Sequence, residues 1–158
     1  MATLGELTRQ HTQLNRDEVD HLQRLIGEWG LLADLSFADL LLYVPGTDGT
    51  WYVVAHVRPA TGQTIYHYDY VGTAAAGQEV PLLSKAYTDG EIVEGELVVE
   101  GMPDPVRMMA VPVRDGEVGV GPNLHARVDE DVGMIAFQNR MKAAVRACHF
   151  HLMRIVSR

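Results

Sequence analysis

Cysteine is almost missing from this chain. Cys148 stands alone, so no internal disulfide can form and a reducing cytoplasm is the expected setting. No apolar run approaches the roughly eighteen residues that a spanning helix needs, which argues against a membrane protein. The first residues, Met1-Ala-Thr-Leu-Gly-Glu-Leu7, lack the cationic start and apolar centre of a signal peptide. Basic charge is also scarce: 13 Lys and Arg face 21 Asp and Glu, a net charge of −8. A nucleic-acid surface needs clustered cations and is not expected. No Gly-x-Ser-x-Gly occurs, and no Ser or Cys is spaced from a base as a nucleophile would be. Gly116-Glu-Val-Gly-Val-Gly121 lacks the Lys and Ser or Thr of a phosphate loop. No catalytic residue is assigned.

The residues present, 47% hydrophobic and 22% charged over 158 positions, suit one globular domain with a real core. The chain is organised around Gly49–Gly72. Trp51 to Arg58 reads as a strand, Arg58-Pro-Ala-Thr-Gly62 interrupts it, and Thr64 to Tyr70 resumes extended. His56, Arg58, Tyr66, His67, Tyr68 and Tyr70 put polar tips on this apolar stretch, where they must find internal partners or face a ligand.

Residues 1–14 form a lead segment with room for a short helix. Asn15 and Glu18 make a capping pair, and Val19, Leu22, Leu25, Ile26, Trp29, Leu32 and Ala33 recur at helical spacing. Gly27 and Gly30 within this helix imply close helix contact or a bend. Ser36 to Val44 is expected as the first strand. Pro81 to Tyr87 is a short helix, stopped by Asp89-Gly90. Ile92 to Val99, Val106 to Arg114 and Glu117 to Val120 are strands, with Pro112 at an edge or bulge.

From about 131 to 157 the spacing predicts a long helix. Met134, Phe137, Met141, Ala144, Cys148, His151 and Ile155 fall three and four apart, a heptad seam suited to a homodimer. Cys148 and His151 share a face, but one such pair gives two ligands where structural zinc takes four, so no metal is assigned. Together these elements predict an α+β domain spanning 1–158: an antiparallel sheet with its N- and C-terminal helices packed together on one face.

Five segments carry a resemblance: Thr3-Leu-Gly-Glu-Leu7, Leu31-Leu-Ala-Asp-Leu-Ser-Phe-Ala-Asp-Leu40, Val57-Arg-Pro-Ala-Thr-Gly-Gln-Thr64, Val71-Gly-Thr73 and Ala110-Val-Pro-Val-Arg114. With these, residues 3 to about 124 resemble the N-terminal GAF-like sensor domain of cytosolic actinobacterial two-component sensor histidine kinases, in which a PAS domain and a transmitter follow. After Asn123 the chain departs from that pattern, and it contains no phosphoacceptor histidine box or ATP-binding box. The resemblance implies a GAF-like fold and a sensor role rather than an enzyme. It also implies a downstream kinase module and a response regulator with an RNA-binding output. Similar domains bind cyclic nucleotides, tetrapyrroles or other small molecules, so the ligand and any cofactor stay open.

For the input site, alternation along Trp51–Arg58 puts Tyr52, His56 and Arg58 on one face. The expected pocket is lined by Tyr52, His56, Tyr68 and Met109, with Arg58 and Arg107 as anion partners. The plainer alternative pairs these arginines with surface acids. Two further readings stand beside the sensor. One is a dimerisation or interaction module with no ligand, its pocket filled by its own aromatics. The other is a GAF-like free-methionine sulfoxide reductase, disfavoured because that chemistry needs several cysteines.

Overall fold

The computed structural model describes residues 3–60, 64–114 and 131–139. Two helices near the start are nucleated by reciprocal caps. The Thr3 hydroxyl accepts the Glu6 N–H at 3.3 Å while the Glu6 carboxylate accepts the Thr3 N–H at 2.7 Å, opening α1, Leu4–His11. Asn15 and Glu18 do the same at 3.0 and 2.6 Å, as expected, and open α2, Arg16–Gly27. Each pair satisfies two backbone N–H groups that the first helical turn leaves open.

The single helix expected through Ala33 is in fact two. The backbone bends at Glu28, and α3 restarts as Trp29–Ser36. A Cβ on Gly27 or Gly30 would meet nothing within 4 Å, so these glycines serve the bend and not a tight helix contact. Helix α3 ends on Phe37 in the left-handed region, φ 48° and ψ 41°. A bulky side chain there costs about 1 kcal/mol. Because α3 runs through Ser36, strand β1 (Asp39–Pro45) starts three residues later than expected.

Strand β2 (Trp51–Val57) returns antiparallel to β1 through the Gly46–Thr50 turn, where the Asp48 carboxylate accepts the Thr50 N–H at 2.9 Å. Helix α4 (Glu79–Asp89) stops on the left-handed Gly90, as Asp89-Gly90 implied. Strands β3 (Val93–Leu97), β4 (Val106–Arg114) and β5 (Asp131–Asn139) follow. The sheet order is β2-β1-β5-β4-β3, antiparallel throughout. Strand β3 reaches only as far as Ala110, so among the described residues no strand pairs with Pro112 on that side, as suits proline.

Two expectations are overturned here. Residues 131–139 are the central strand, not the start of a long helix. Asp131-Val-Gly-Met-Ile-Ala-Phe-Gln-Asn139 carries apolar residues compatible with either period. It includes a helix-weakening glycine, and β1 and β4 each offer an edge whose hydrogen bonds it completes. Met134 and Phe137 therefore belong to the sheet, opposite Tyr43 and Leu40. Met141, Cys148, His151, Ile155 and the rest of the expected helix lie outside the described residues, as does the Glu117–Val120 strand. Thr64–Tyr70, in turn, is not a strand. The edge of β2 is joined instead by residues 72–75, where Gly72 donates to the Val53 carbonyl at 2.8 Å and Ala75 to that of Trp51 at 2.8 Å.

The sheet is covered on both sides. Leu40, Leu42 and Val44 face a core with Leu7 of α1, Leu22 of α2 and Trp29, Leu32 and Ala33 of α3. Leu41 and Tyr43 face the opposite core, with Leu83 and Ala86 of α4 and Met108, Ala110 and Ala136. Strand β1 is thus buried on both faces, which explains its uninterrupted apolar run. Helix α4 lies close to β3 because Gly95 has no side chain: a Cβ there would fall 2.6 Å from a Leu82 methyl. Gly95→Ala is expected to lower stability by about 1–2 kcal/mol through this overpacking, read as a drop in the urea midpoint at unchanged m-value.

Candidate functional site

A bulge decides which residues of β2 meet. Leu42 pairs with Ala55, but Tyr43 pairs with Val53, so Val54 is the extra residue. The alternation flips there. Trp51, Val53 and His56 share the α4 side, while Tyr52, Val54, Ala55 and Val57 belong with α1–α3. Simple alternation had joined Tyr52 with His56; the bulge sends them to opposite faces.

On the α4 side, the chain leaving β2 folds back over the sheet and is pinned by Asp39 at the mouth of β1. Asp39 is 1% exposed. Its Oδ2 accepts the Ile65 N–H at 2.7 Å, and its Oδ1 accepts the Thr64 hydroxyl at 2.5 Å and lies 3.4 Å from His56 Nε2. On α3, Asp34 accepts the Ala60 N–H at 2.6 Å, a second tie to the same loop. The His56 side chain is also buried, with Asp69 at 3.8 Å from its other ring nitrogen. Tyr66 and Tyr70, 4.3 Å apart, set their rings edge-on to it at 5.7 and 6.2 Å.

Deeper on the same face, Tyr43 donates to Glu79 Oε1 at 3.2 Å, and Tyr66 donates to the same oxygen at 3.5 Å. Burial first, and then the neighbouring Glu79 carboxylate, push the Tyr43 phenol well above its usual range, so it stays a neutral donor. Helix α4 is held to the sheet by Trp51, whose indole donates to Ser84 at 3.2 Å and whose ring meets Tyr87 edge-on at 5.1 Å.

The six residues expected to line one pocket are therefore distributed. His56 is buried in this cluster. Arg58 and Tyr68, on the loop that covers it, are exposed. Tyr52 lies on the other face, stacked on His11 at 4.0 Å with its hydroxyl donating to Asp48 at 2.8 Å. Met109 packs against the α1–α3 core. Arg107, on β4, pairs with Glu94 of β3 at 3.3 Å, the surface pairing held open as the alternative. The order β2-β1-β5-β4 puts Tyr52 about 14 Å from the Arg107 strand. Residue patterning missed Asp39, Thr64 and Glu79. The one available signal was an aspartate opening the unbroken apolar run Leu40–Val44, where a charge must have partners.

The arrangement orders the loop over the sheet through Asp34 and Asp39. Among the described residues no cluster of three or more His, Cys, Asp or Glu has the geometry to hold a metal ion. No helix of the described residues is long and apolar enough to cross a membrane.

The same residues have relatives. The sensor histidine kinase PdtaS of Mycobacterium tuberculosis is 36% identical over 99% of this chain, which spans 32% of that protein. PdtaS of Mycolicibacterium smegmatis is 43% identical over 60% of the chain and 19% of its own length. Among solved structures, the sensor region of a sensor histidine kinase superposes with a TM-score of 0.71 at 34% identity, covering 99% of this chain and 53% of that one. The chain thus corresponds to about a third of the length of its curated full-length relatives. Residues 4–121 match the family model for the histidine kinase PdtaS GAF domain, and the chain belongs to that family of histidine-kinase sensor domains.

Proposed function

We propose that this domain is a signal-input module that binds a small molecule on the α4 side of its sheet. It passes the change, through the chain that follows β5, to a kinase module and from there to a response regulator. The observation that carries the reading is the His56 cluster. A loop is held over the sheet by one buried carboxylate, Asp39, with aromatic and acidic groups beneath it and Arg58 and Tyr68 exposed along it. A ligand that prefers one arrangement of this loop shifts the population of the domain by its differential affinity. Asp34 and Asp39 flank the α3–β1 turn, so movement of the loop is felt directly at α3.

A thermal-shift panel of nucleotides, amino acids and organic acids tests this. A ligand at about ten times its Kd adds about 1.4 kcal/mol, raising the Tm of a chain this size by about 3–5 °C. The rise should vanish in His56→Ala and in Arg58→Ala but survive Arg107→Ala. The reverse pattern would move the site to the far end of the sheet.

A second reading, a ligand-free interaction module, is favoured by one feature. Tyr66 is 4% exposed and packs with Tyr70 directly against His56, so the domain's own aromatics occupy this face. A panel without any shift, in a folded protein, would select that reading.

A further inference from the structure

The two ends of the sheet are finished differently. At the β2 end the chain covers its own edge: Gly72 and Ala75 donate to the Val53 and Trp51 carbonyls, and the Val53 N–H donates to the Thr73 carbonyl at 2.9 Å. At the other end β3 pairs with β4, and among the described residues no strand lies on its outer side. The backbone groups along that side are a template for one more strand. Helix α4 packs on one face of β3, over Val93, Gly95 and Leu97. Gln78, just before α4, accepts the Val98 N–H at 2.9 Å and fixes the end of the strand.

On the opposite face, alternation leaves Ile92, Glu94, Glu96 and Val98 in a row. The two glutamates are exposed, and the apolar residues at the ends are 48% and 77% exposed. Charged side chains are the usual guard of a sheet edge, whereas a large apolar side chain at each end of the row is not. The surroundings are strongly acidic. Residues 89–104 hold six acids, Asp89, Glu91, Glu94, Glu96, Glu100 and Asp104, and no Lys, Arg or His. The cations that pair with them among the described residues are Lys85, on Asp89 at 2.6 Å, and Arg107, on Glu94 at 3.3 Å. A second copy of this edge is a poor match. Paired antiparallel about Gly95, it sets Glu94 against Glu96 twice, and like charges directly opposite destabilise a sheet.

We infer that the outer edge of β3 is a docking surface for an extended, cationic segment of a partner protein, added as a further strand. Such a segment carries Lys or Arg at two successive alternate positions, beside Glu94 and Glu96. An apolar residue two positions out on each side meets Ile92 and Val98. Main-chain hydrogen bonds to β3 supply the pairing, and the side-chain pattern supplies the selectivity. Three strands stand between β3 and the strand of His56, so this surface is separate from the proposed input site and does not rest on it.

A synthetic peptide, Ile-Thr-Lys-Thr-Lys-Thr-Ile, tests this, because its pattern is the same in parallel and antiparallel pairing. With both ends capped and a fluorescent label, it is expected to bind the 158-residue chain saturably in anisotropy at low salt. Binding should be at least tenfold tighter than for Ile-Ile-Lys-Lys-Thr-Thr-Thr, which has the same composition without the alternation. The peptide should slow amide exchange within residues 93–97 and leave residues 51–57 unchanged. Glu96→Lys should weaken binding at least fivefold, and a peptide with one Lys replaced by Glu should recover it. The melting temperature of that variant reports that the fold is intact. Absent binding, or equal binding of the scrambled peptide, would mean that the acids attract cations without offering an edge. Concentration-dependent dimers in sedimentation, lost in Glu96→Lys or strengthened by it, with no peptide binding, would mean that a second copy takes the edge. Either result overturns the inference. The peptide reads this edge alone, so its failure leaves the ligand panel's result for the input site untouched.

Discussion

Ala136→Asp is expected to unfold the protein. Ala136 is fully buried in the central strand, opposite Leu41 of β1 and Ala110 of β4, and it belongs to the α4-side core. A carboxylate placed there would be stripped of water among apolar side chains such as Leu41, Leu83 and Met108. The cost is about 5 kcal/mol or more, as large as the whole stability of many domains. Far-UV circular dichroism and a urea melt at neutral pH read it directly. The substitution also separates two structures for residues 131–139. On the helix that heptad spacing suggests, position 136 falls off the seam of Met134, Phe137 and Met141, and an aspartate there would be tolerated. A cooperative fold with a melting temperature within about 2 °C of the parent would reject β5 as the central strand.

Asp39→Ala should cost about 3 kcal/mol. The change strips the acceptor from the Ile65 N–H and the Thr64 hydroxyl and removes the carboxylate beside the buried His56 ring. Hydrogen bonds to a charged group contribute about 1.5–3 kcal/mol, and donors left buried without a partner add their own penalty. Asp39→Asn keeps one acceptor oxygen and is expected to retain about half of that stability. The loss should also be local. Amide exchange at Ile65 and Tyr66 should accelerate by far more than at Leu42 or Val44, whose protection comes from the sheet. A stability change under about 0.5 kcal/mol, with Ile65 exchange unaltered, would show that Asp39 does not hold the loop, and the proposed input site would lose its anchor.

Much of the architecture was legible because it is written in local chemistry. The Asn15–Glu18 cap, the Asp89-Gly90 helix stop and the limits of β4 each depend on residues within a few positions of one another. The family, too, could be read from contiguous segments such as Leu31–Leu40 and Val57–Thr64. The candidate site was only half legible. His56, Tyr66 and Tyr70 stood out as polar tips on an apolar stretch. Their partners Asp39 and Glu79 are 17 residues from His56 and 13 from Tyr66, on other elements. Nothing in either segment announces the pairing. The bulge at Val54 is equally silent in the sequence, since Trp-Tyr-Val-Val-Ala-His-Val alternates acceptably in either phase. Only the register against β1 reveals that one residue is extra, and that one residue moves Tyr52 and His56 to opposite faces.

By itself, then, the sequence determined the composition class, the caps and turns, most of the strands and helices and the family. The caps, turns and elements follow from backbone propensity and hydrophobic pattern over short windows, and the family from the resemblance of contiguous segments. Tertiary structure alone decided three things. Residues 131–139 are a strand because two open sheet edges outcompete a helical spacing. The arginines at 58 and 107 do not converge, because two strands stand between theirs. Asp39 becomes the anchor of the loop because folding buries it beside the Ile65 N–H, the Thr64 hydroxyl and the His56 ring. In each case the deciding energy is a hydrogen bond or a burial between residues far apart in the chain, and no local pattern encodes it.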